Sequence, residues 1–422
     1  MKTILIVSYL FAPNNSIGAL RPTKMAKLLS EKGHCIDVVS AGYLGNDTLL
    51  MPNNIRHWYH LNEKKAQSSN QTNNDKTTHN YVKLPKTLKQ VYRTRKARKS
   101  EKQFYKYFKN LFSIELEKNN YDVIITSFGP LVSLECGLYV KQHCKDIKWI
   151  CDFRDPVITD ITPIIFRQSW KRKEQHACEK ADEIIAVSNE YVRRICGKRF
   201  SNKAHMIPNG YDLSDMTLFA STLLPNDFIR ITYVGSLYEG RRKITPLFRA
   251  LRELADEGKV DLHNFCFDYA GGDGSFLRMQ ADEFGLDAIV NDHQLLSRED
   301  CLKLQFASHL LVLATWNYKG EEGVFPGKFL EYMLIGRPII SLTTGNVSNG
   351  EVTSVMREGQ FGVAYESAND SKDMVSLKNY LEFCYTEWSQ KKIINAKPVK
   401  EVLERYNYDN IINRIEELIL RP

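Results

Sequence analysis

Short apolar runs recur along this chain, each followed by a segment of helical length. One set is "ILIVSYL" (4–10), "IDVVS" (36–40), "VIITS" (123–127), "WICDF" (149–153) and "EIIAVS" (183–188). A second is "IRITYVGS" (229–236), "FCFDYA" (265–270), "HLLVLA" (309–314) and "PIISL" (338–342). A run apolar at successive positions has no polar face to turn to water, so it suits a parallel strand covered by helices on both sides. Between the runs lie amphipathic stretches such as "RPTKMAKLLSEKG" (21–33) and "PLFRALRELADEG" (246–258), each ending in the glycine that often closes a helix. Strands alternating with helices predict βαβ units and doubly wound α/β sheets.

The turn signal Pro208-Asn209-Gly210 separates the two sets, and 422 residues exceed one ordinary core. The expectation is therefore two halves, 1–205 and 206–405, followed by a helix over 406–422 with apolar spacing at Ile411, Ile412, Ile415 and Leu418. Residues 61–80 are nearly all polar and read as a mobile loop. Two facing halves imply a cleft, and ligands of such sheets sit beyond the carboxyl ends of the strands.

Composition narrows the class. A hydrophobic fraction of 43% and a charged fraction of 26% are those of a soluble globular protein. No apolar run approaches the ~18 residues a spanning helix needs. The start "MKTILIVSYLFAP" lacks a small-residue cleavage site before Pro13 and reads as a buried first strand, so a cytoplasmic protein is expected. Nine cysteines occur with no Cys-x-x-Cys pair and no zinc spacing, which fits reduced thiols and no metal site. The net charge of +8 is concentrated between Lys83 and Lys109, where many cations stand against one Glu. That segment is either a solvated helical face or a surface for anionic lipid headgroups or an anionic acceptor. No nucleic-acid motif accompanies it.

Several loops carry candidate chemistry. After the first run, "APNNSIGALRP" holds Gly18 in a long turn before a helix, where backbone N–H groups can approach an anion. "WICDFRDP" places Asp152, Arg154 and Asp155 where a strand ends, and charges there call for partners or a ligand; a role in the cleft is expected. "YVGSLYEGRRK" puts Arg241, Arg242 and Lys243 around a glycine-bearing loop, suited to clamping a diphosphate. "YAGGDG", with Gly271, either frames the same site or makes a tight turn. In "GVFPGKFLEYMLIGRP", Pro326 sits near a helix start, leaving the N–H groups of Gly323 to Lys328 to face an anion at the positive helix end. Glu331 lies just inside that helix, placed to accept from a pair of ligand hydroxyls.

Taken in order, "GALRPTKMAKLLSEKGH", "DFRDP", "PNGYD", "VGSLYEGRR", "AGGDG" and "GVFPGKFLEYMLIGRPI" resemble the retaining glycosyltransferases of family 4, which have the GT-B fold. The resemblance runs from about residue 3 to 365, apart from an insertion near 60–110. It implies two Rossmann-like domains facing a central cleft, with the last helix crossing back to the first. The acceptor would lie mainly on the first domain and a nucleotide-sugar donor on the second. By the resemblance, Glu331 holds the ribose and Arg241, Arg242 and Lys243 meet the diphosphate. Gly18 closes over that diphosphate, Val324 and Phe325 present backbone to phosphate and sugar, and Asp155 falls near the catalytic region.

The family often carries a second acid where this chain has Gly323, so Glu321 or Glu322, or backbone alone, must orient the sugar. A basic residue often follows the Val-Gly of the second half, where Ser236 stands here. No Asp-x-Asp triplet occurs, which fits a reaction without metal or other cofactor. The implied function is transfer of a sugar, with retention, to a glycan or lipid-linked acceptor in bacterial surface polysaccharide synthesis. A non-catalytic nucleotide-sugar-binding subunit and a sugar-nucleotide epimerase are the alternatives.

Overall fold

In a computed structural model, residues 1–14, 16–42, 49–61, 86–159, 162–212 and 224–421 are described. Most of 61–80 lies outside them. The chain divides into two compact units, Met1–Pro208 with Ile412–Pro422, and Asn209–Ile411.

The first unit is built on a parallel sheet of β1 (Thr3–Ser8), β2 (Cys35–Ala41), β3 (His57–Leu61), β4 (Val123–Ser127), β5 (Lys148–Phe153), β6 (Glu183–Ala186) and β7 (Ala204–Met206). Their spatial order is β3-β2-β1-β4-β5-β6-β7. Ile4 to Val7 of β1 are no more than 1% exposed, as expected of a central strand covered on both faces. The helices are α1 (Ile17–Glu31), α2 (Lys86–Ile114), α3 (Val132–His143), α4 (Ile164–Lys180) and α5 (Asn189–Cys196).

The basic segment proves to be two things at once. Phe104, Phe108 and Phe112 recur at one residue in four along α2, are fully buried, and join the core. The half of α2 before them is largely exposed.

In the second unit the strands are β8 (Ile229–Val234), β9 (Phe265–Ala270), β10 (Val290–Asp292), β11 (Leu310–Asn317), β12 (Ile339–Gly345) and β13 (Gly362–Glu366). They are ordered β10-β9-β8-β11-β12-β13, again all parallel. Its helices are α6 (Thr245–Asp256), α7 (Gly274–Asp282), α8 (Arg298–Phe306), α9 (Gly327–Ile335), α10 (Glu351–Glu358), α11 (Asp370–Lys391) and α12 (Lys400–Glu404). The last helix, α13 (Tyr408–Leu420), belongs from Ile412 onward with the first unit. Ile412, Ile415, Leu418 and Ile419 are buried there, and Glu416 accepts from Lys32 at 2.8 Å and meets His34 at 2.9 Å.

Parallel strands leave every strand-to-helix loop on one edge of the sheet. In the second unit the chain winds one way from β8 to β10 and the other way from β11 to β13. The loops after β8 and β11 therefore part at the switch point, the usual ligand position of such a sheet.

Candidate active site

The loop after β8 is held open by its neighbours. The Tyr233 hydroxyl donates to the Ser236 carbonyl at 2.8 Å and the Tyr269 hydroxyl to that of Gly235 at 3.0 Å. Their rings stack at 5.9 Å. Asp273 accepts from the Leu237 N–H at 2.7 Å and the Ser236 hydroxyl at 2.8 Å. Gly271 makes this close fit possible, because a Cβ there would lie 2.4 Å from the Gly235 carbonyl oxygen. Its own N–H is committed to Gln294 at 2.8 Å. Of the two sequence readings, Gly271 frames the loop by packing and offers no free N–H.

The cations that follow do not act as one block. The Arg242 guanidinium donates to the Ser236 carbonyl at 3.1 Å and lies 4.4 Å from the ring centre of Tyr238. Arg241 and Arg242 each sit 5.3 Å from the ring centre of Trp316, at the end of β11. Tyr238 takes a left-handed φ of 50°, a strained conformation for a bulky residue of the kind that gathers at functional sites. Lys243 is exposed, and its backbone N–H donates to the Thr344 hydroxyl at 3.3 Å. Arg241 and Arg242 thus share the Trp316 ring, and Lys243 makes no such contact among the described residues.

Another lysine reaches the loop. The stem of Lys328 crosses Gly235, its Cε 3.0 Å from where a Cβ on that glycine would stand. Desolvation lowers its pKa, the Glu331 charge opposes this, and the charges of Arg242 and Arg298 add to the lowering. A lysine so placed gains from any anion that enters.

Lys328 is the second residue of α9, whose N-cap is Pro326 with φ −65° and ψ 134°. The Phe329 N–H bonds back to Pro326 at 3.0 Å, while among the described residues nothing accepts from the N–H of Gly327 or Lys328. Two donors and the positive end of the helix are thus left for an anion. Glu331 is 21% exposed and has Arg298 at 3.8 Å, a loose contact that a ligand can displace. The Phe325 ring stacks on Tyr406 at 5.5 Å and is part of the core, so this residue and the partly exposed Val324 have backbone to offer a ligand.

Gly323, at the position of the family's other acid, has a φ of +88°, which strains any residue with a side chain. Glu321 instead pairs with Arg241 at 2.8 Å, and Glu322 accepts from the Gly320 N–H of its own turn at 2.7 Å. Tyr238, Trp316 and Arg298 escape the sequence reading. A lone aromatic at a strand end gives no spacing signal, and Arg298 joins the site only through tertiary packing.

In the first unit, the expectation for "DFRDP" is corrected in two of its three charges. Asp152 is fully buried and takes the Arg21 guanidinium at 2.9–3.1 Å and the Ser127 hydroxyl at 3.2 Å. Arg154 donates to Phe128 at 2.7 Å, to Gly129 at 3.3 Å and to the Gly18 carbonyl. That last bond has a cause in the sequence. Pro22 lies four residues beyond Gly18 inside α1 and has no N–H to return, so Arg154 supplies the missing donor. These two charges lock loops together, and Asp155 alone of the three remains exposed.

Residues 23–215 match the model of Glycosyltransferase Family 4. The chain carries a domain of that family. No curated protein matches it in sequence. Among solved structures it is similar to a sucrose-phosphate synthase from Thermosynechococcus elongatus, with 17% identity, TM-score 0.62, and coverage of 99% of this chain and 98% of that one. It is also similar to a lipopolysaccharide outer core galactosyltransferase, at 13% identity, TM-score 0.57, and 99% and 100% coverage. A third is an E. coli trehalose-6-phosphate protein bound with UDP-2-fluoro glucose, at 11% identity, TM-score 0.58, and full coverage of both chains. Likeness at this identity establishes the fold: the chain has the two-domain α/β GT-B architecture of these proteins.

Proposed function

We propose that this protein transfers a sugar from a nucleotide-sugar donor, without a metal ion and with retention of anomeric configuration. The observation that carries the reading is the convergence of the Arg242 and Lys328 side chains on the loop after β8, with two open N–H groups at the start of α9, the helix that carries Lys328 and Glu331. When the sugar bond breaks, charge grows on the nucleoside diphosphate. Fixed cations and helix-end donors that need no rearrangement stabilise it. Glu331 accepts from the ribose hydroxyls once Arg298 yields. Arg241 meets the outer phosphate and frees Glu321 to reach the sugar, in place of the acid that Gly323 lacks. Asp155, exposed in the first unit, is the catalytic group proposed on the acceptor side.

The acceptor is a glycan or lipid-linked glycan of a bacterial surface polysaccharide, reached by a peripheral contact of residues 83–109 with anionic membrane on the cytoplasmic side. Lys83 and the neighbouring residues to Pro85 lie outside the described residues. The test is a panel of nucleotide sugars screened by thermal shift, since a ligand of the folded state raises Tm. Turnover with the stabilising donor is then followed by NMR. Retained configuration and unchanged rate in EDTA are expected. An inverted product, loss of rate in EDTA, or binding with neither transfer nor slow donor hydrolysis would each refute the reading.

A further inference from the structure

Helices α2 and α4 line a recess of about 460 Å3, bounded by Arg95, Arg98, Lys99, Lys102, Phe166 and Trp170. We propose that it binds the phosphate of a membrane-lipid headgroup, which deepens the membrane contact in the reading above and rests on it.

The charge balance comes first. Arg95, Lys99 and Lys102 follow the helical repeat and share one face of α2 within two turns, about 10 Å. Among the described residues no carboxylate pairs with any of the three. The two nearby acids are already engaged, Glu101 by Arg98, and Glu135 by Arg98 at 2.8 Å and by Lys173. Three like charges around one concavity repel each other until an anion enters. A second cavity beside α4, lined by Arg167, Lys171, Arg172 and Arg194, holds three engaged cations out of four. There Lys171 holds Glu174, and Arg167 and Arg194 donate to backbone carbonyls.

The rim decides which phosphate. Ile164 and Ile165 open α4 and are 82% and 61% exposed, immediately before Phe166, which stacks on Trp170 at 5.7 Å. On α2, Leu88 and Tyr92 are likewise exposed, one to two turns before Arg95. Helix α4 follows β5, whose carboxyl end lies on the edge of the parallel sheet where ligands of such a fold bind. A soluble phosphate gains nothing from exposed isoleucines. A headgroup does, because its acyl chains lie where they would insert.

The experiment is co-sedimentation of the full chain with vesicles of phosphatidylcholine alone or with phosphatidylglycerol added. Binding only to the anionic vesicles is expected. The triple variant Arg95→Ala/Lys99→Ala/Lys102→Ala should bind them about 100-fold more weakly, from the usual contribution of each cation near such a surface. Ile164→Ser/Ile165→Ser should remove the part of binding that survives high salt. All these side chains are exposed, and an unchanged Tm confirms folding. Equal binding to both vesicles, or full binding by the triple variant, overturns the proposal. So does a recess that inorganic phosphate or glycerol 3-phosphate fills, read as a Tm rise lost in the triple variant, while vesicle binding is absent. Donor binding, read separately by thermal shift, distinguishes failure of this site from failure of the glycosyltransferase reading.

Discussion

Lys328→Ala is expected to lower turnover by about 10²–10³-fold, the usual cost of removing one fixed donor to developing charge in a transition state. The lysine lies over Gly235 with its charge partly desolvated, so it gains more when the diphosphate becomes an anionic leaving group than in the resting enzyme. Lys328→Arg should not restore the rate, since a planar guanidinium does not fit the narrow crossing over Gly235. The pH dependence has a definite sign. Desolvation lowers the pKa of the free enzyme's lysine, and a bound diphosphate raises it. Donor affinity therefore falls as pH rises through the free-enzyme value and is full below it. Steady-state kinetics with titration of donor across pH would check both points. A variant with wild-type kcat, or an affinity that rises with pH over this range, would remove Lys328 from the site.

Arg21→Ala should destabilise the first unit by about 3–5 kcal/mol, because it leaves Asp152 charged and fully buried without its partner. The same guanidinium also donates to the carbonyls of Pro208 at 2.6 Å and Ile207 at 3.2 Å, so the loss reaches the end of the unit. For a unit of this size that is a Tm lowered by about 6–20 °C. Arg21→Met with Asp152→Leu should recover much of it, since apolar residues of similar volume replace buried ion pairs well. Calorimetry on the three chains is the check. Below melting, nucleotide binding should be largely kept, because Arg242, Lys328, Glu331 and the open N–H groups of α9 lie in the second unit, and only Gly18 of the candidate donor groups lies in the first. A large loss of donor affinity in the folded variant would mean that Arg21 is a ligand group.

The central strands were legible because burial on both faces leaves an apolar run in the sequence. The four that the runs do not mark, β3, β7, β10 and β13, are the two edges of each sheet. "HWYHL" needs only one covered face, and β7 and β10 are three residues long, so neither kind leaves such a run. In α2 the dense lysines and arginines mask a phenylalanine stripe that a composition reading cannot separate from them. At the site, Glu331 and the α9 entrance, with the N–H of Lys328, were legible because helix punctuation fixes where they sit. The crossing of the Lys328 side chain over Gly235 is a tertiary contact. The Arg241-Arg242-Lys243 cluster was legible, but the contacts of Arg242 with Ser236 and Trp316 depend on the turn before it. Asp152 and Arg154 look like site residues in sequence because a charge at a strand end is unusual. What occupies them is Arg21 and three backbone carbonyls, one of them freed by Pro22, a dependence that only tertiary contacts reveal.

The most direct test is a crystal structure with the nucleoside diphosphate of the donor that stabilises the chain. The account predicts the diphosphate on Arg242, Lys328 and the N–H groups of Gly327 and Lys328, with the ribose hydroxyls on Glu331. A diphosphate bound elsewhere, or Glu331 still held by Arg298 with nucleotide present, would contradict it.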